Sequence, residues 1–285
     1  MMRGPEKGFL PAKMQLIPRL VIAPDSGAID WLDLWRFRDL FAILAERDIR
    51  LRYRQTALGI FWVILQPLAA SLIFAAIFGL FAKLPSGGAP YVLFVFAAML
   101  PWNLFSAGVQ RGGNSLINNV GLVTKIYFPR AIIPIATVAA VLLDFAVASV
   151  VMVVLLLAHG APFSPSLLAI PLLTVLVLGV TVGVSLLVSA LNVYYRDFSN
   201  ALPFILQIWL YGSPIVYSST LVPDRWRLLY GLNPLVGIVD GFRWAFLGAP
   251  MPTVTLIESA VTTVVLIIVG AAVFKRVERS FADVI

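Results

Sequence analysis

The sequence predicts an all-α integral membrane protein, with six transmembrane helices preceded by an amphipathic helix in the membrane interface. Three observations carry this. Apolar residues make up 60% of the 285 residues and the mean hydropathy is +0.95. Soluble domains average about 45–50% apolar, and no soluble fold of this size has the interior to hide the excess. Six apolar runs, at 57–82, 91–110, 131–158, 167–191, 200–218 and 253–274, approach the ~20 residues needed to cross a ~30 Å hydrocarbon layer. Finally, 17 of the 21 lysines and arginines lie in segments on one side of those runs and only 4 on the other. Cationic segments remain in the cytoplasm, so both termini are expected there.

The leader, 1–29, holds four prolines and no sustained period, which predicts a weakly ordered cytosolic tail. The first apolar run begins only after more than fifty residues, unlike the near-terminal apolar core of a signal peptide. Residues 30–56 follow. On a helix, Arg36, Asp39, Glu46, Arg47 and Arg50 form one stripe interrupted by Ile43, with Trp31, Leu34, Trp35, Phe41 and Ala45 opposite. That pattern fits an interfacial helix. Its end, "RDIRLRYR", brings Arg47, Arg50, Arg52 and Arg54 to the first span, where anionic lipid headgroups attract them. The transmembrane domain is expected over 57–274 and a cytosolic tail over 275–285. Gln66-Pro67 should bend the first span. Pro101, Asn103 and Gln110 interrupt the second, and Pro203, Gln207 and Pro214 the fifth, so both should be kinked with their freed backbone groups satisfied by neighbours.

Little in the chain suggests covalent chemistry. Cysteine is absent and the one histidine, His159, sits in the short loop "AHGAPF", which removes thiolate sites and leaves a lone imidazole without co-ligands. No G-x-x-x-x-G-K-[ST] phosphate loop occurs, nor inverted halves with matched broken helices. No catalytic, cofactor-binding or metal-binding residue is therefore expected. Asp144 in the third run and Glu258 near the start of the sixth are intramembrane acids, with Asp240 in the last outer loop. Such acids mark function or a hydrogen bond to a neighbouring helix, and Asp144 has no charged partner near it in sequence. The loop "GGNSLINNVGLVTKIYFPR" (112–130) is too polar and glycine-rich to continue the second span. It predicts a short helix across the inner surface presenting Asn118, Lys125 and Tyr127 to a soluble partner, or an ordinary connection. "NVYYRDFSN" (192–200) is a smaller projection of the same kind.

Four stretches in order, "RYRQTALGIFWVILQPL", "NNVGLVTKIYFPRAIIP" with "LDF", "LNVYYRDFSNALPFILQIWLYGSPIVY" and "LLYGLNPLVGIVDGFRWAFLG", resemble the permease subunits of ABC-2-type polysaccharide exporters for O-antigen, capsule and teichoic acid. The resemblance runs over roughly 44–274. It implies a homodimeric channel above two copies of a separate ATPase that binds ATP and Mg, so that this chain is a transport subunit and not an enzyme. It also implies coupling helices at 115–130 and 192–199, with Asn118, Lys125, Tyr127, Phe128, Arg130, Arg196 and Asp197 as coupling residues and Phe128 as the apolar anchor. Short re-entrant helices are implied at 221–248, where Trp226, Tyr230 and Trp244 join an outer gate. Trp62, Trp102, Phe105 and Trp209 are channel candidates for a lipid-linked glycan, since aromatic faces stack on sugars; belt and packing roles fit them equally. Arg47, Arg50, Arg52 and Arg54 fit either capture of a phosphate headgroup or plain anchoring. An ABC-2 exporter of a drug or small lipid, a membrane-embedded glycan-processing enzyme and a membrane scaffold are the alternative functions.

Overall fold

The computed structural model describes residues 35–54, 59–125, 128–161, 164–195, 197–278 and 281. We number its helices α1 (Arg38–Arg54), α2 (Gly59–Phe74), α3 (Tyr91–Asn118), α4 (Val120–Lys125), α5 (Ile132–Ala158), α6 (Ile170–Tyr194), α7 (Phe198–Tyr211), α8 (Asp224–Gly231), α9 (Pro234–Leu247) and α10 (Thr253–Glu278). A π-helical segment, Ala75–Phe81, extends α2, and a 3-10 turn, Pro165–Ala169, leads into α6. No strand occurs among the described residues. Among them, five helical stretches are long and apolar enough to cross a membrane: Phe61–Phe81, Tyr91–Asn118, Ile132–Ala158, Pro165–Tyr194 and Thr253–Glu278.

The run expected at 200–218 is not one helix. α7 stops at Tyr211 after 14 residues, about 21 Å at 1.5 Å per residue, and an irregular stretch follows. The chain nevertheless travels the length of the bundle here. Leu202 lies beside Gly113 near one end of α3, whereas the Val216 carbonyl accepts the Tyr91 hydroxyl at the other end. This stretch is thus a short helix plus non-helical, mostly buried backbone.

α3 is the central helix, with 78% of its most apolar window buried against 17–33% in the other four spans. Its polar interruptions do not end it, and the structure corrects the loop expected at 112–130: the helix runs on to Asn118. The glycines that suggested a break are packing sites. A Cβ on Gly112 would meet the Ser185 hydroxyl at 2.8 Å, and Gly108 and Gly113 sit as closely under Thr181 and Val188. Without side chains there, α6 approaches closely enough for Ser185 Oγ to donate to the Gly108 carbonyl at 3.2 Å and Asn192 Nδ2 to the Gly113 carbonyl at 2.8 Å. Small residues play this part between membrane helices, where no hydrophobic drive holds them together. Only Val120–Lys125 forms the separate short helix expected within that segment, with Val123 buried and Gly121, Thr124 and Lys125 exposed.

Two apolar clusters divide the bundle. The larger lies along α3, α5, α6 and α9. The smaller joins Leu44 of α1 to Phe128, Ile132, Ile133, Phe274 and Phe281, so both ends of the described chain meet at one end of the bundle. α1 packs there through Phe37, Leu40, Phe41, Leu44 and Ala45, an i, i+3, i+4 stripe. Trp35, expected on that face, is instead 70% exposed beside Arg38, while Trp31 and Leu34 lie outside the described residues.

Candidate functional site

The packed stripe of α1 continues, one turn at a time, into Asp48 and Arg52. Thr137 Oγ1 of α5 donates to Asp48 Oδ2 at 2.8 Å. Farther along, the Arg52 guanidinium and the Tyr53 hydroxyl both donate to the Asp144 carboxylate. Arg111 of α3 stands across from them, its Nη1 3.6 Å from Asp144 Oδ2. Asp144 therefore has charged partners, drawn from residues 92 and 33 positions away in sequence. Together they line a cleft of about 240 Å³ between α1, α2, α3 and α5, with Gln66, Asn103, Ser106 and Gln110 as further polar walls and Val63, Pro67, Leu100 and Phe145 as apolar ones. Asn103, Ser106, Gln110 and Arg111 follow an i, i+3, i+7, i+8 spacing on α3, which sets them on one face. That spacing was readable in the sequence, but assigning Arg111 to a loop concealed it.

The other three arginines behave differently. Arg47 pairs with its neighbour Asp48 at 2.8 Å, and Arg50 with Glu46 one turn back on the exposed face. The Arg54 side chain lies outside the described residues.

A second built site lies at the opposite end. Asn233 caps α9, accepting from the Leu235 amide at 3.1 Å, with Pro234 in the first turn; Gly248 closes the helix in the left-handed conformation (φ 68°). This helix carries Arg243, which is almost fully buried. Its guanidinium lies 3.5 Å from the Phe94 ring centre and donates to the carbonyls of Ile215 at 2.9 Å, Tyr217 at 3.3 Å and Phe94 at 3.4 Å, and to Asp240 Oδ1 at 3.4 Å. Burial lowers the guanidinium to about 10, with Asp240 opposing the shift, so it stays charged at neutral pH. Burial likewise pushes the Asp240 carboxyl up, against hydrogen bonds from Ser219 and Arg243. Asn233 Nδ2 donates to the Gly212 carbonyl at 3.2 Å. Asn233, Arg243 and Tyr91 thereby satisfy carbonyls of the non-helical stretch after α7, at Gly212, Ile215, Val216 and Tyr217. Non-helical backbone at membrane depth persists only when protein groups do this.

The aromatic candidates divide. Trp102 and Phe105 are buried in this chain's own core, Phe105 completely, so neither presents its ring on the outer surface of the subunit as a channel lining would. Trp209 packs edge-on to Phe105 at 4.9 Å and donates to Asn233 Oδ1 at 3.0 Å, a brace for the α9 cap. Trp62 and Trp226 are exposed. Tyr230 hydrogen-bonds Tyr217 at 2.9 Å, and Trp244 is half-buried, its carbonyl facing Ser166.

The coupling candidates also divide. Asn118, Lys125 and Asp197 are exposed at the α1 end. Phe128 is not. It is 6% exposed within the smaller cluster, so the structure corrects its expected role as an anchor for a soluble partner: its apolar surface is already covered by α1, α5 and α10. Arg130 is committed to the end of α10, its amide donating to Glu278 Oε1 at 2.9 Å and its guanidinium to the Glu278 carbonyl. Tyr127 and Arg196 lie outside the described residues.

The profile of the ABC-2 type transporter family matches residues 39–247, from the packed stripe of α1 to the last residue of α9. The chain belongs to this family. It is similar along most of its length to proteins named as O-antigen export system permeases. One, from Klebsiella pneumoniae, is 28% identical over 250 residues, covering 87% of this chain and 95% of that protein. Another, from Myxococcus xanthus, is 27% identical over 254 residues, covering 88% and 97%. A polysialic acid transport protein of Escherichia coli, KpsM, is 25% identical over 240 residues, covering 82% and 92%. As a member of the ABC-2 family the chain is a multi-pass membrane transport subunit.

Proposed function

We propose that this chain is the transmembrane half of an ATP-driven exporter that moves a lipid-linked polysaccharide, of O-antigen, capsule or teichoic-acid type, out of the cytoplasm across the plasma membrane. The observation that carries the reading is the near full-length match to permeases named for O-antigen and polysialic acid export. Two copies form the channel, and two copies of a cytosolic ABC ATPase, which bind ATP and Mg, dock at the α1 end. The charge distribution supports that orientation, since the basic segments gather where α1, α4 and the end of α10 meet. Exposed faces on α2, α7 and α10, carrying Trp62, Phe204, Ile208 and Val265, offer apolar surface for lipid and for the second copy. α4, with Lys125 outward and Val123 inward, is the element suited to receive the ATPase stroke.

The test is complementation. Cells lacking this chain should lose surface glycan and accumulate its lipid-linked form inside, and re-expression together with the cognate ATPase should restore export. Purified alone, the chain should hydrolyse no ATP. Normal surface glycan in the deletion strain would refute the reading.

A further inference from the structure

We propose that the polar cleft between α1, α2, α3 and α5 is an anion-exchange subsite: Asp144 is the resident counter-ion of Arg52 and Arg111, and the phosphate or diphosphate of an isoprenoid-linked substrate displaces it. This rests on the lipid-linked substrate named above and assigns that substrate's charged group a place.

The charges in the cleft do not balance. Among the described residues three guanidiniums, of Arg47, Arg52 and Arg111, face two carboxylates, of Asp48 and Asp144, and Arg111 at 3.6 Å from Asp144 is too distant to hydrogen-bond it. An ion pair built only to fasten α1 to α5 is complete with Arg52, Tyr53 and Asp144; it requires neither Arg111 nor the carboxamides opposite. Surplus positive charge along a membrane helix is costly, and where it persists it marks a path for a ligand or ion. A phosphate matches the surplus, because guanidinium forks hold phosphate oxygens in pairs.

The space fits the same ligand. The cleft's roughly 240 Å³ of open space equals about eight waters at ~30 Å³ each, room for a phosphate beside the ion pair. Asn103, Ser106 and Gln110 add donors, while Val63 and Phe145 offer apolar walls beside them. Arg111 lies seven residues from the α3 terminus at Asn118, about 10 Å along the helix, within reach of a headgroup entering from the α1 end with its tail in lipid. Exchange also supplies release. When the anion leaves, Asp144 takes back Arg52, so that guanidinium keeps a counter-ion throughout.

The probes are farnesyl diphosphate, farnesol and inorganic pyrophosphate, titrated against the purified full-length protein in detergent. The intact protein should bind farnesyl diphosphate at least tenfold more tightly than either of the others. Arg111→Gln should weaken farnesyl diphosphate about tenfold, the loss of roughly one charge-assisted hydrogen bond, without altering elution volume or melting temperature. Asp144→Asn should bind it several-fold more tightly, because the competing carboxylate is gone, even though the protein melts lower. Unchanged affinity in Arg111→Gln, or weaker binding in a folded Asp144→Asn protein, overturns the proposal. Should Asp144→Asn fail to fold, Arg111→Gln alone decides. Equal affinity for pyrophosphate points to a soluble anion and equal affinity for farnesol to an apolar groove; either overturns the headgroup assignment. Binding that follows these expectations in a strain whose surface glycan does not depend on the chain would retain the subsite and reject the polysaccharide reading.

Discussion

Arg243→Lys isolates what the buried guanidinium does for the non-helical stretch after α7, since it keeps the charge and removes the fork. Arg243 spreads its donors over the carbonyls of Ile215 at 2.9 Å, Tyr217 at 3.3 Å and Phe94 at 3.4 Å. A lysine ammonium from the same Cα can serve some of these but cannot reproduce the planar span. Losing one or two charge-assisted hydrogen bonds at ~2 kcal/mol each, with a cation still facing Phe94, gives a cost of about 2–4 kcal/mol. At roughly 2 °C per kcal/mol for a chain of this size, the melting temperature should fall by about 4–8 °C. The assay is thermal unfolding of the detergent-purified protein, paired with limited trypsin digestion. Arg225 and Arg227 lie in the exposed helix α8 just beyond the stretch that Arg243 braces, and cleavage there should speed up in the variant. A melting temperature within 2 °C of the parent protein and unchanged cleavage would refute the reasoning, and the 212–217 backbone would then need another support.

Phe128→Ala should act on stability rather than on partner binding. Truncating a buried phenylalanine costs about 3–5 kcal/mol, so the yield of folded protein should drop, while Lys125→Ala leaves melting unchanged and lowers only ATPase-driven export; the reverse pattern would return Phe128 to the docking surface. Topology can be read with single cysteines, because the chain has none of its own. Ser86→Cys should react with an impermeant maleimide in intact cells and Lys125→Cys only after lysis, and labelling of the position-125 cysteine from outside would invert the assigned orientation.

The apolar runs that became α5, α6 and α10 were legible because continuous apolar sequence of span length has few alternative fates. The misreadings share a cause. Gly112 and Gly113 resemble a breaker unless Ser185 and Val188 are known to fill the space above them. Asp144 appears isolated until Arg52 and Arg111 are brought to it from distant turns. Phe128, in a polar stretch, was read as outward-facing, though the cluster that buries it draws on α1 and α10. The 212–217 stretch needed Arg243 from a later helix to satisfy its carbonyls. In each case the deciding neighbour is far away along the chain, and periodicity carries no record of it.

The π-helical segment Ala75–Phe81 alters what the gene can tolerate. In an α-helix, removing one residue rotates everything beyond it by 100°, since a turn holds 3.6 residues, and a packed span rarely survives that. A π-helix bonds each amide to the carbonyl five residues back and so carries surplus residues; here the pattern continues into the Ala82 amide on the Ile77 carbonyl at 2.9 Å. A deletion between Ala75 and Phe81 can be absorbed by rewinding to α geometry, which keeps the faces of α2 below it in register. The fixed point is Gly79, whose absent side chain makes room for the Tyr91 ring. Length variation among related chains should therefore collect around that glycine and spare it.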